Sequence, residues 1–446
     1  MIKSVFTQLW NRRRANFSVF LELLFVFCLL WYITDYLFVY AYNLSLPNHR
    51  DLKHTWQINL GLLPSDDPAV AKPSGVEKTS DPTPQALYDD YHRILRIIRD
   101  YPGVEAVSVS TNQSIPATGS YRGRNLYSLD DTTRRIQVQQ MEIYTSTDYF
   151  SVFRHTRKDG AEAVRMSDFE WTGSRQVVIS RSAADKLLPD GSPTGRKLVN
   201  NLNDTSDPMT VIGVIDDTKR FDYLRPRHAV YIPITDMDKW DMNFWANYPA
   251  ISIRSAASLP DAIFADAFGN DMAKLLRTGN FFFKSIVSFR KISEDTASNL
   301  GMDSDLNIRI SLMLFFLLNI LLCVLGTFWY MVNLRRSETG LRKAMGASSS
   351  SISRMLFAEG LCLLTAAATV AMLLEANCMY AGLIDTFGKG WGSENDTVYP
   401  VDRLALRFLI TNFITLIILS VIILTAIWLP ARRASALHPA EALRDE

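Results

Sequence analysis

The sequence predicts an α-helical membrane protein with four transmembrane helices and a large α+β extracytoplasmic domain inserted between helices 1 and 2. Two segments without a charged residue, 310–332 and 408–429, are each long enough to cross roughly 30 Å of hydrocarbon. Segments 17–42 and 355–374 are almost as apolar and are predicted to be the first and third spans. The insert, 43–309, is long enough for a folded domain with its own core.

The distribution of Lys and Arg near the span ends predicts the orientation, because basic flanks resist translocation. Segment 1–16 is basic without an acid and is expected to form a cytoplasmic helix. The loop 333–354 is strongly basic, whereas the loop 375–407 contains more acids than bases. Both termini, including the tail 430–446, are therefore expected in the cytoplasm and the large insert outside. A cleaved signal peptide is a competing interpretation of the N-terminus, but the apolar run is too long and no small-residue cleavage site follows it.

The cysteines and the charge balance exclude some structural and functional classes. The four cysteines all lie in or beside the predicted spans: Cys28, Cys323, Cys362 and Cys378. The extracytoplasmic domain is thus expected to fold without a disulfide. A net charge of +1 without a basic stripe gives no indication of nucleic-acid binding.

The insert shows the patterns of an α+β domain. An irregular lead-in is predicted over 46–84, where Pro, Ser, Asp and Lys are frequent, and Thr83 is expected to cap the helix that follows. Further predicted helices are 182–188 and 260–277, and the predicted strands are 104–110, 136–144, 176–180, 210–215, 230–233, 250–254 and 281–289. The polar segment 292–309 is compatible with a helix that runs straight into the second span as a stalk.

No motif for enzymatic chemistry is present in this sequence. It lacks the G-x-x-x-x-G-K-[ST] loop that cradles nucleotide phosphates, and the glycines of segment 191–197 have neither the spacing nor the Lys-Ser/Thr pair. It also lacks H-E-x-x-H, paired Cys ligands and a G-x-S-x-G nucleophile elbow. We therefore expect no ATP hydrolysis by this chain, no catalytic site and no metal site.

The basic loop 333–354 has a helical pattern of its own. Its apolar residues fall on one helical face: Leu334, Leu341 and Met345. Glu338 and Arg342 stand one turn apart and can pair, Gly346 is placed to end the helix, and the serines after it can cap the next one. The pattern predicts helix, break, helix. On charge bias alone, a loop that packs on lipid headgroups remains an open alternative.

Two motifs at the predicted membrane boundaries resemble a known family. The run from Glu338 to Ala347, ETGLRKAMGA, resembles the E-I-G-[IL]-R-[KR]-A-[LM]-G-A signature of the FtsX-like permeases of ABC transporters, departing at Thr339. Glu359 is similar to the family's acidic residue at the start of the third span. The C-terminal run 430–444, PARRASALHPAEALR, resembles the family's closing P-A-x-R-A-x-x-x-x-P-x-E-A-L-R.

The insert resembles the MacB-like periplasmic core domain that accompanies some of these permeases. The matching segments are YTSTDYFSVF at 144–153, VVISRSAADKLLPDGSPTGRKL at 177–198 and TVIGVIDDTKRFDYLRPRHAVYIP at 210–233. The resemblance thus covers nearly the whole chain, and it is strongest at the two cytoplasmic motifs.

The resemblance implies a transmembrane permease subunit in a bacterial inner membrane, with both termini cytoplasmic and the large domain periplasmic. A separate ABC ATPase subunit would bind ATP and Mg, this chain would hold no cofactor, and a second permease chain, identical or a paralogue, would complete a dimer. A periplasmic adaptor and an outer-membrane channel are possible further partners. The residues implied in coupling to the ATPase are Glu338, Gly340, Arg342, Lys343, Ala344, Gly346, Ala347 and Glu359. The charged residues of the loop would form or orient the contact, and its small residues would allow close packing.

Three functions remain open at this point. The chain can serve export or efflux, or it can act as a non-transporting mechanotransducer that controls a periplasmic partner such as a cell-wall hydrolase. A membrane sensor without a motor is a third interpretation, disfavoured because the cytoplasmic segments are too short for a signalling domain. The cargo is not indicated by the sequence.

The first span contains two ionisable residues and an aromatic cluster. Glu22 and Asp35 are expected to pair with other helices, with a proton or substrate role as the alternative. The aromatic residues are expected to form an interfacial belt, with contact to lipid-like cargo as the alternative: Trp31, Tyr32, Tyr36, Phe38, Tyr40 and Tyr42.

Overall fold

A computed structural model describes the protein over residues 13–63, 84–119, 121–203, 205–234, 249–279, 281–334, 336–383 and 403–436, with backbone alone at 13–16, 84–88, 336–338 and 434–436. The chain divides into two compact units, one formed by Met1–Tyr42 with Asp303–Glu446 and the other by Asn43–Met302.

The helices are α1 (Arg13–Ser45), α2 (Pro84–Arg99), α3 (Tyr149–Val152), α4 (Arg181–Leu187), α5 (Asp261–Leu275), α6 (Phe289–Asn299), α7 (Met302–Leu334), α8 (Arg336–Ala344), α9 (Ser349–Tyr380) and α10 (Leu404–Ala436). The strands are β1 (Thr55–Leu62), β2 (Val104–Ser110), β3 (Arg122–Ser128), β4 (Arg135–Tyr144), β5 (Thr156–Arg157), β6 (Glu162–Ala163), β7 (Gln176–Ser180), β8 (Lys197–Val199), β9 (Met209–Ile215), β10 (Thr218–Lys219), β11 (Pro226–Arg227), β12 (Ala229–Ile234), β13 (Ala250–Ser255), β14 (Arg277–Thr278) and β15 (Phe281–Ser288).

Four helices of the first unit are long and apolar enough to cross a membrane. The candidate spans in the described residues are Phe17–Ser45, Met302–Leu334, Ser349–Tyr380 and Leu404–Arg433, with mean hydropathy between 1.9 and 2.6. They share one apolar core, to which α1 contributes Phe27, α7 Ile320 and α10 Ile427. Only 11% of the most apolar window of α7 is buried, against 44% for α1 and α9, so most of the α7 surface is left to lipid or to another chain.

Four strands of the second unit form an antiparallel sheet in the order β2-β13-β1-β15. Helix α2 connects β1 to β2, and α5 follows β13, which gives the β-α-β-β-α-β succession of a ferredoxin-like fold. Trp56 and Ile58 of β1 share a buried cluster with Tyr91 of α2 and Phe264 and Phe268 of α5. One face of the sheet is therefore covered by the two helices.

The chain between β2 and β13 forms a second layer of structure. Strands β12, β7, β9, β8, β3 and β4 pair in that order, and β12 also pairs in parallel with β4, so the six strands close into a ring. Their inward residues pack with α4 in a separate apolar cluster, which includes Leu126, Val177, Val211 and Leu187. Ser110 and Ile143 form the one strand pair between β2 and β4 that links the ring to the ferredoxin-like sheet in the described residues.

The predicted fold class, four membrane helices with a large α+β insert between the first and second, is confirmed. The expected irregular lead-in over 46–84 is partly wrong, because β1 lies within it as a central strand. Its apolar residues Trp56, Ile58 and Leu60 alternate with Gln57 and Asn59, which is the pattern of a half-buried strand, but the polar and Pro-rich residues around it led to the prediction of an irregular segment. Thr83, expected as a helix cap, lies outside the described residues.

The predicted straight stalk over 292–309 is also wrong. Helix α6 ends at Asn299, and Gly301 takes a φ of +73° before α7 begins. A left-handed residue interrupts the helical hydrogen bonds, so the segment is two helices rather than one. Helix α9 likewise extends through Glu375 to Tyr380, beyond the predicted end of the third span at 374.

Candidate functional site

A short helix connects the second and third candidate spans. Helix α8 ends where Gly346 adopts a φ of +94°, which glycine reaches at little cost. The N–H of Ala347 donates to the carbonyl of Arg342 at 3.0 Å, and the N–H of Gly346 donates to that of Lys343 at 2.9 Å. This Schellman arrangement satisfies the last carbonyl groups of the helix and prevents it from continuing into α9.

The start of α9 is also capped. The Oγ of Ser348 accepts from the N–H of Ser351 at 3.3 Å. Across the break, the Arg342 Nη1 lies 2.7 Å from the Met355 Sδ and joins α8 to the first turns of α9. The predicted helix, break, helix is thus present, with both ends at the break fixed by hydrogen bonds.

One face of α8 is apolar and uncovered. Leu341 is 52% exposed and Met345, in the turn that follows, is 72% exposed, whereas Thr339 on another face is buried. Leu334, predicted on the same face, instead ends α7 and belongs to a different helix. The described part of the chain provides no cover for Leu341 and Met345.

The other residues implied in coupling have varied surroundings. Gly340 is buried, Ala344 is exposed, and Lys343 and Ala347 are partly buried. A Cβ at Gly346 would meet nothing within 4 Å, so within this chain the glycine is needed for its backbone conformation rather than for close packing.

The two acidic residues implied in coupling to the ATPase are described to different extents. Glu338 lies in α8, but its side chain is outside the described part, so its pairing with Arg342 stays a prediction. Glu359 is 2% exposed in α9 and is enclosed by helices rather than presented at the surface. Its expected role in coupling also stays a prediction.

Gly360 marks a close approach of α9 to α10. A Cβ at this position would lie 2.3 Å from the Cδ1 of Ile427 and 3.2 Å from the Cγ2 of Ile423, both on α10. Small residues allow membrane helices to pack closely, and Ala367 and Ala371 continue the buried small face along α9.

Replacing Gly360 with valine is expected to lower the free energy of unfolding by about 1–3 kcal/mol, because the added methyl groups overpack the contact with α10. Gly326 of α7 is the matched control, since a Cβ there would meet nothing within 4 Å. Unfolding by SDS titration in mixed micelles measures both variants. Equal losses at the two positions would contradict the close contact.

A buried ion pair joins α1 to α10. The Arg407 Nε donates to the Asp35 Oδ1 at 2.7 Å, the Nη2 contacts the second carboxylate oxygen, and the side chains are 3% and 5% exposed. Nearby, the Trp31 Nε1 donates to the Thr411 Oγ1 at 2.9 Å. The interhelical pairing expected for Asp35 is therefore present, and it neutralises a charge that would be costly in hydrocarbon.

Other polar groups in the helices form interhelical contacts. The Cys323 Sγ of α7 donates to the Glu22 Oε2 of α1 at 2.8 Å. Glu375 lies in α9, where it is 3% exposed beside Cys28 and Asn412. Its predicted position in the outer loop 375–407 was based on its charge, and this assignment is wrong. The apolar residues that follow Glu375 were the signal that the helix continues.

Arginine side chains lie over aromatic rings near the ends of the membrane helices. Arg309 lies 3.9 Å from the centroid of the Tyr36 ring, and Arg433 lies 4.1 Å from that of Trp329. Trp and Tyr are enriched at membrane–water interfaces, and their ring faces attract the guanidinium groups. Trp31, predicted in the interfacial belt, is instead 1% exposed and faces the other helices.

A serine, a histidine and an aspartate meet in the extracytoplasmic domain. The Ser182 Oγ contacts the Asp217 Oδ1 and lies 2.5 Å from the His228 Nδ1. Burial, together with Lys186 and Arg227, lowers the pKa of His228 to about 4. The hydroxyl lies between the two other groups, whereas a nucleophilic triad requires the histidine in the middle, so this cluster is not arranged for catalysis.

Asp216 anchors the turn between β5 and β6. Its carboxylate is 2% exposed and accepts from the N–H of Gly160 at 2.7 Å, the N–H of Asp159 at 3.1 Å, the Thr156 hydroxyl at 3.0 Å and the Arg181 guanidinium at 2.7 Å. Burial by itself would raise the pKa of Asp216, but the Arg181 guanidinium and these N–H groups outweigh it and hold the pKa below its usual value. The residues described by the structure contain no group of three His, Cys, Asp or Glu side chains placed to hold a metal.

The membrane helices, the inserted α+β domain and the amphipathic helix at the break define an integral membrane protein of the permease type. Residues 52–265 match the family model of the MacB-like periplasmic core domain, and residues 310–439 match that of the FtsX-like permease C-terminal region. The chain belongs to the FtsX-like permease family of ABC transporters and carries a MacB-like periplasmic core domain.

Curated relatives match this chain in sequence over part of their length. The chain is 27% identical over 314 residues to the macrolide export ATP-binding/permease protein MacB of Salmonella paratyphi A, covering 68% of this chain and 43% of the relative. It is 27% identical over 274 residues to a probable export ATP-binding/permease protein of Pseudomonas fluorescens, covering 60% and 38%. The chain thus spans less than half the length of these relatives.

Solved structures of extracytoplasmic regions also match. The extracellular domain of the noncanonic ABC-type transporter YknZ from Gram-positive bacteria is 18% identical with a TM-score of 0.29, covering 51% of this chain and all of that one. The periplasmic region of MacB from Actinobacillus actinomycetemcomitans is 13% identical with a TM-score of 0.32, covering 55% and 93%.

Proposed function

We propose that this chain is the transmembrane permease subunit of a MacB/FtsX-like ABC transporter, which couples ATP hydrolysis by a separate ATPase subunit to motion of the extracytoplasmic domain for export or efflux. The observation that carries the proposal is the uncovered apolar face of α8. Burying a Leu or Met side chain stabilises an interface by roughly 1.5–3 kcal/mol, so Leu341 and Met345 favour a protein partner at this face.

The construction of α8 suits the transmission of force. Its last carbonyl groups are bonded, the next helix is capped by Ser348, and Arg342 contacts Met355 across the break. A displacement of α8 would therefore pull directly on α9, and α9 is tightly packed on α10 at Gly360. In this proposal, Glu338, Arg342 and Lys343 contact or orient the ATPase, which holds ATP and Mg.

Several further parts of the proposal follow from the relatives and the helices. The names of the relatives combine ATP-binding and permease functions in export, and this chain matches less than half of their length. The low burial of α7 supports a second permease chain beside it. The basic flanks support cytoplasmic termini and a periplasmic insert in a bacterial inner membrane.

Replacing Leu341 and Met345 together with glutamate is expected to weaken association with the ATPase by roughly tenfold or more, because two charges would have to be buried in the contact. The measurement is copurification of an ATPase with the tagged chain in mild detergent, together with the ATPase activity of the complex. Leu275→Glu is the matched control, since Leu275 is 58% exposed on α5 of the extracytoplasmic domain. A companion variant with Glu338 and Arg342 changed to alanine tests the charged contact.

Retention of the ATPase and of its coupled activity by the Leu341/Met345 variant would reject the docking role of α8. Copurification of a periplasmic adaptor and an outer-membrane channel with the wild-type complex would identify efflux. Copurification of a cell-wall hydrolase instead would favour mechanotransduction.

A further inference from the structure

An acidic side chain lies inside the bundle of membrane helices, near the end of α9. Glu375 is 3% exposed and continues the buried face of this helix after Ala368 and Ala371. The preceding residues Leu373 and Leu374 are 62% and 49% exposed and belong to the outer surface of the helix. The carboxyl group is therefore enclosed by the other helices rather than presented to lipid or water.

The two carboxyl oxygen atoms of Glu375 are unpaired within the described part of the chain. Neither has a hydrogen-bond partner there, although the side chains of Cys28 on α1 and Asn412 on α10 lie beside the group. The Arg407 guanidinium is not available, because it is bound to both oxygen atoms of Asp35. An ionised carboxylate without a partner is very costly in an apolar interior. The bundle thus lacks what an ionised Glu375 would require.

Asn412 presents a second unsatisfied acceptor at this place. It is 1% exposed, and its Nδ2 donates to the carbonyl of Phe408 at 3.0 Å, whereas its Oδ1 has no hydrogen-bond partner in the described residues. An ionised carboxyl group only accepts hydrogen bonds, but a protonated one has an O–H that donates. One proton on Glu375 would therefore remove the buried charge and supply a donor for the Asn412 Oδ1.

The titratable and charged groups around Glu375 come from three helices. Helix α1 contributes Cys28 and Asp35, α9 contributes Cys378, and α10 contributes Arg407. The two thiols are weak hydrogen-bond donors. The charge of Asp35 is balanced by that of Arg407, so these groups leave no positive charge for Glu375.

We propose that Glu375 is a proton-binding site, which holds one proton as a neutral carboxylic acid donating to the Asn412 Oδ1, and that α9 separates from α1 and α10 when this proton leaves. With the proton bound, the three helices pack as described. When the O–H bond breaks, the proton passes to water and the carboxylate must be hydrated, which requires the helices to part. The proposal does not depend on the ATPase contact of α8.

Infrared spectroscopy of the purified full-length protein in detergent micelles tests for the proton. We expect the wild type at neutral pH to show the carbonyl stretch of protonated carboxyl groups, and we expect Glu375→Gln to lose one component of it. Asn412→Ala should shift the frequency of this component without removing it, because the O–H loses its acceptor. Asp303→Asn is the control, since Asp303 is an exposed acid in the first turn of α7.

Hydrogen exchange of the same proteins tests the coupling to helix packing. The pH is raised until the Glu375 component disappears from the infrared spectrum of the wild type. Exchange at 371–380 should then be roughly tenfold faster in the wild type than in Glu375→Gln, because glutamine has no charge to be hydrated. Comparison of the two proteins at one pH cancels the intrinsic effect of pH on exchange.

Three outcomes would overturn the proposal. An infrared spectrum that is the same in Glu375→Gln and the wild type would show that Glu375 carries no proton. Protection of 371–380 that depends on sodium instead of pH would identify a monovalent cation at the oxygen atoms of Glu375 and Asn412. Equal exchange of the two proteins after loss of the infrared component would separate the proton from the packing of α9.

Discussion

Replacing Arg407 with methionine is expected to lower the free energy of unfolding by about 3–5 kcal/mol, because it leaves the Asp35 carboxylate buried without a partner. The pair is almost completely enclosed between α1 and α10, and the Arg407 Nε lies 2.7 Å from the Asp35 Oδ1. No water is expected to replace a guanidinium that makes two contacts within an apolar bundle. SDS titration of the purified protein in mixed micelles measures the loss.

The double variant Asp35→Asn with Arg407→Met separates two contributions to the free energy of unfolding. One is the net contribution of the ion pair, and the other is the destabilisation caused by a buried charge without a partner. Removing both charges should recover most of the stability, since apolar or neutral replacements of a buried pair are often nearly neutral. Arg403→Met is the control, because Arg403 is exposed just before the same helix. A single variant as stable as the wild type, or a double variant as unstable as the single, would refute this account.

Replacing Asp216 with alanine is expected to cost about 3 kcal/mol at neutral pH, because the buried carboxylate accepts several hydrogen bonds, including one from a charged group. Its loss would leave the N–H groups of Asp159 and Gly160 unsatisfied and would release Arg181. Lys158 and Asp159 both have positive φ in this turn, so the carboxylate also holds a strained backbone. Chemical denaturation of the full-length protein, followed by the fluorescence of the extracytoplasmic domain, measures the effect.

The contribution of Asp216 should depend on pH in a defined direction. Its pKa is lowered in the folded domain, so the stabilisation is fully present above the unfolded pKa, near 3.9, and is lost as the pH falls through the lower folded value. The difference between the wild type and Asp216→Ala should therefore shrink only in acid. Asp266 is exposed on α5, so Asp266→Ala is the control, and a cost equal to that of Asp216→Ala would argue against the anchoring role.

Local sequence patterns were sufficient for most of the elements. The β-branched runs 104–110 and 176–180 form strands with the predicted bounds, because their side chains are buried in sheets and their flanks contain turn residues. The pairing of β4 with β12 that closes the ring could not be predicted from the sequence, since parallel pairing between distant strands leaves no local signal. The same limit applies to Asp35, whose partner Arg407 is far away in the sequence.

The candidate coupling site was predictable in part. Helical spacing placed Leu341 and Met345 together, and Gly346 at the end of the helix was recognisable as a left-handed position. Leu334 was misassigned because periodicity continues across a helix boundary.

The strand order has a consequence for how the extracytoplasmic domain is made. β1 is the first strand of that domain, yet its neighbours β13 and β15 lie beyond the whole inserted ring, from Ala250 onward. Because synthesis starts at the N-terminus, β1 is therefore made long before any strand that can pair with it. Since such distant pairing is slow, β1 is the segment that needs protection from aggregation during translocation. The polar residues Gln57 and Asn59 within β1 reduce that risk while the domain awaits completion.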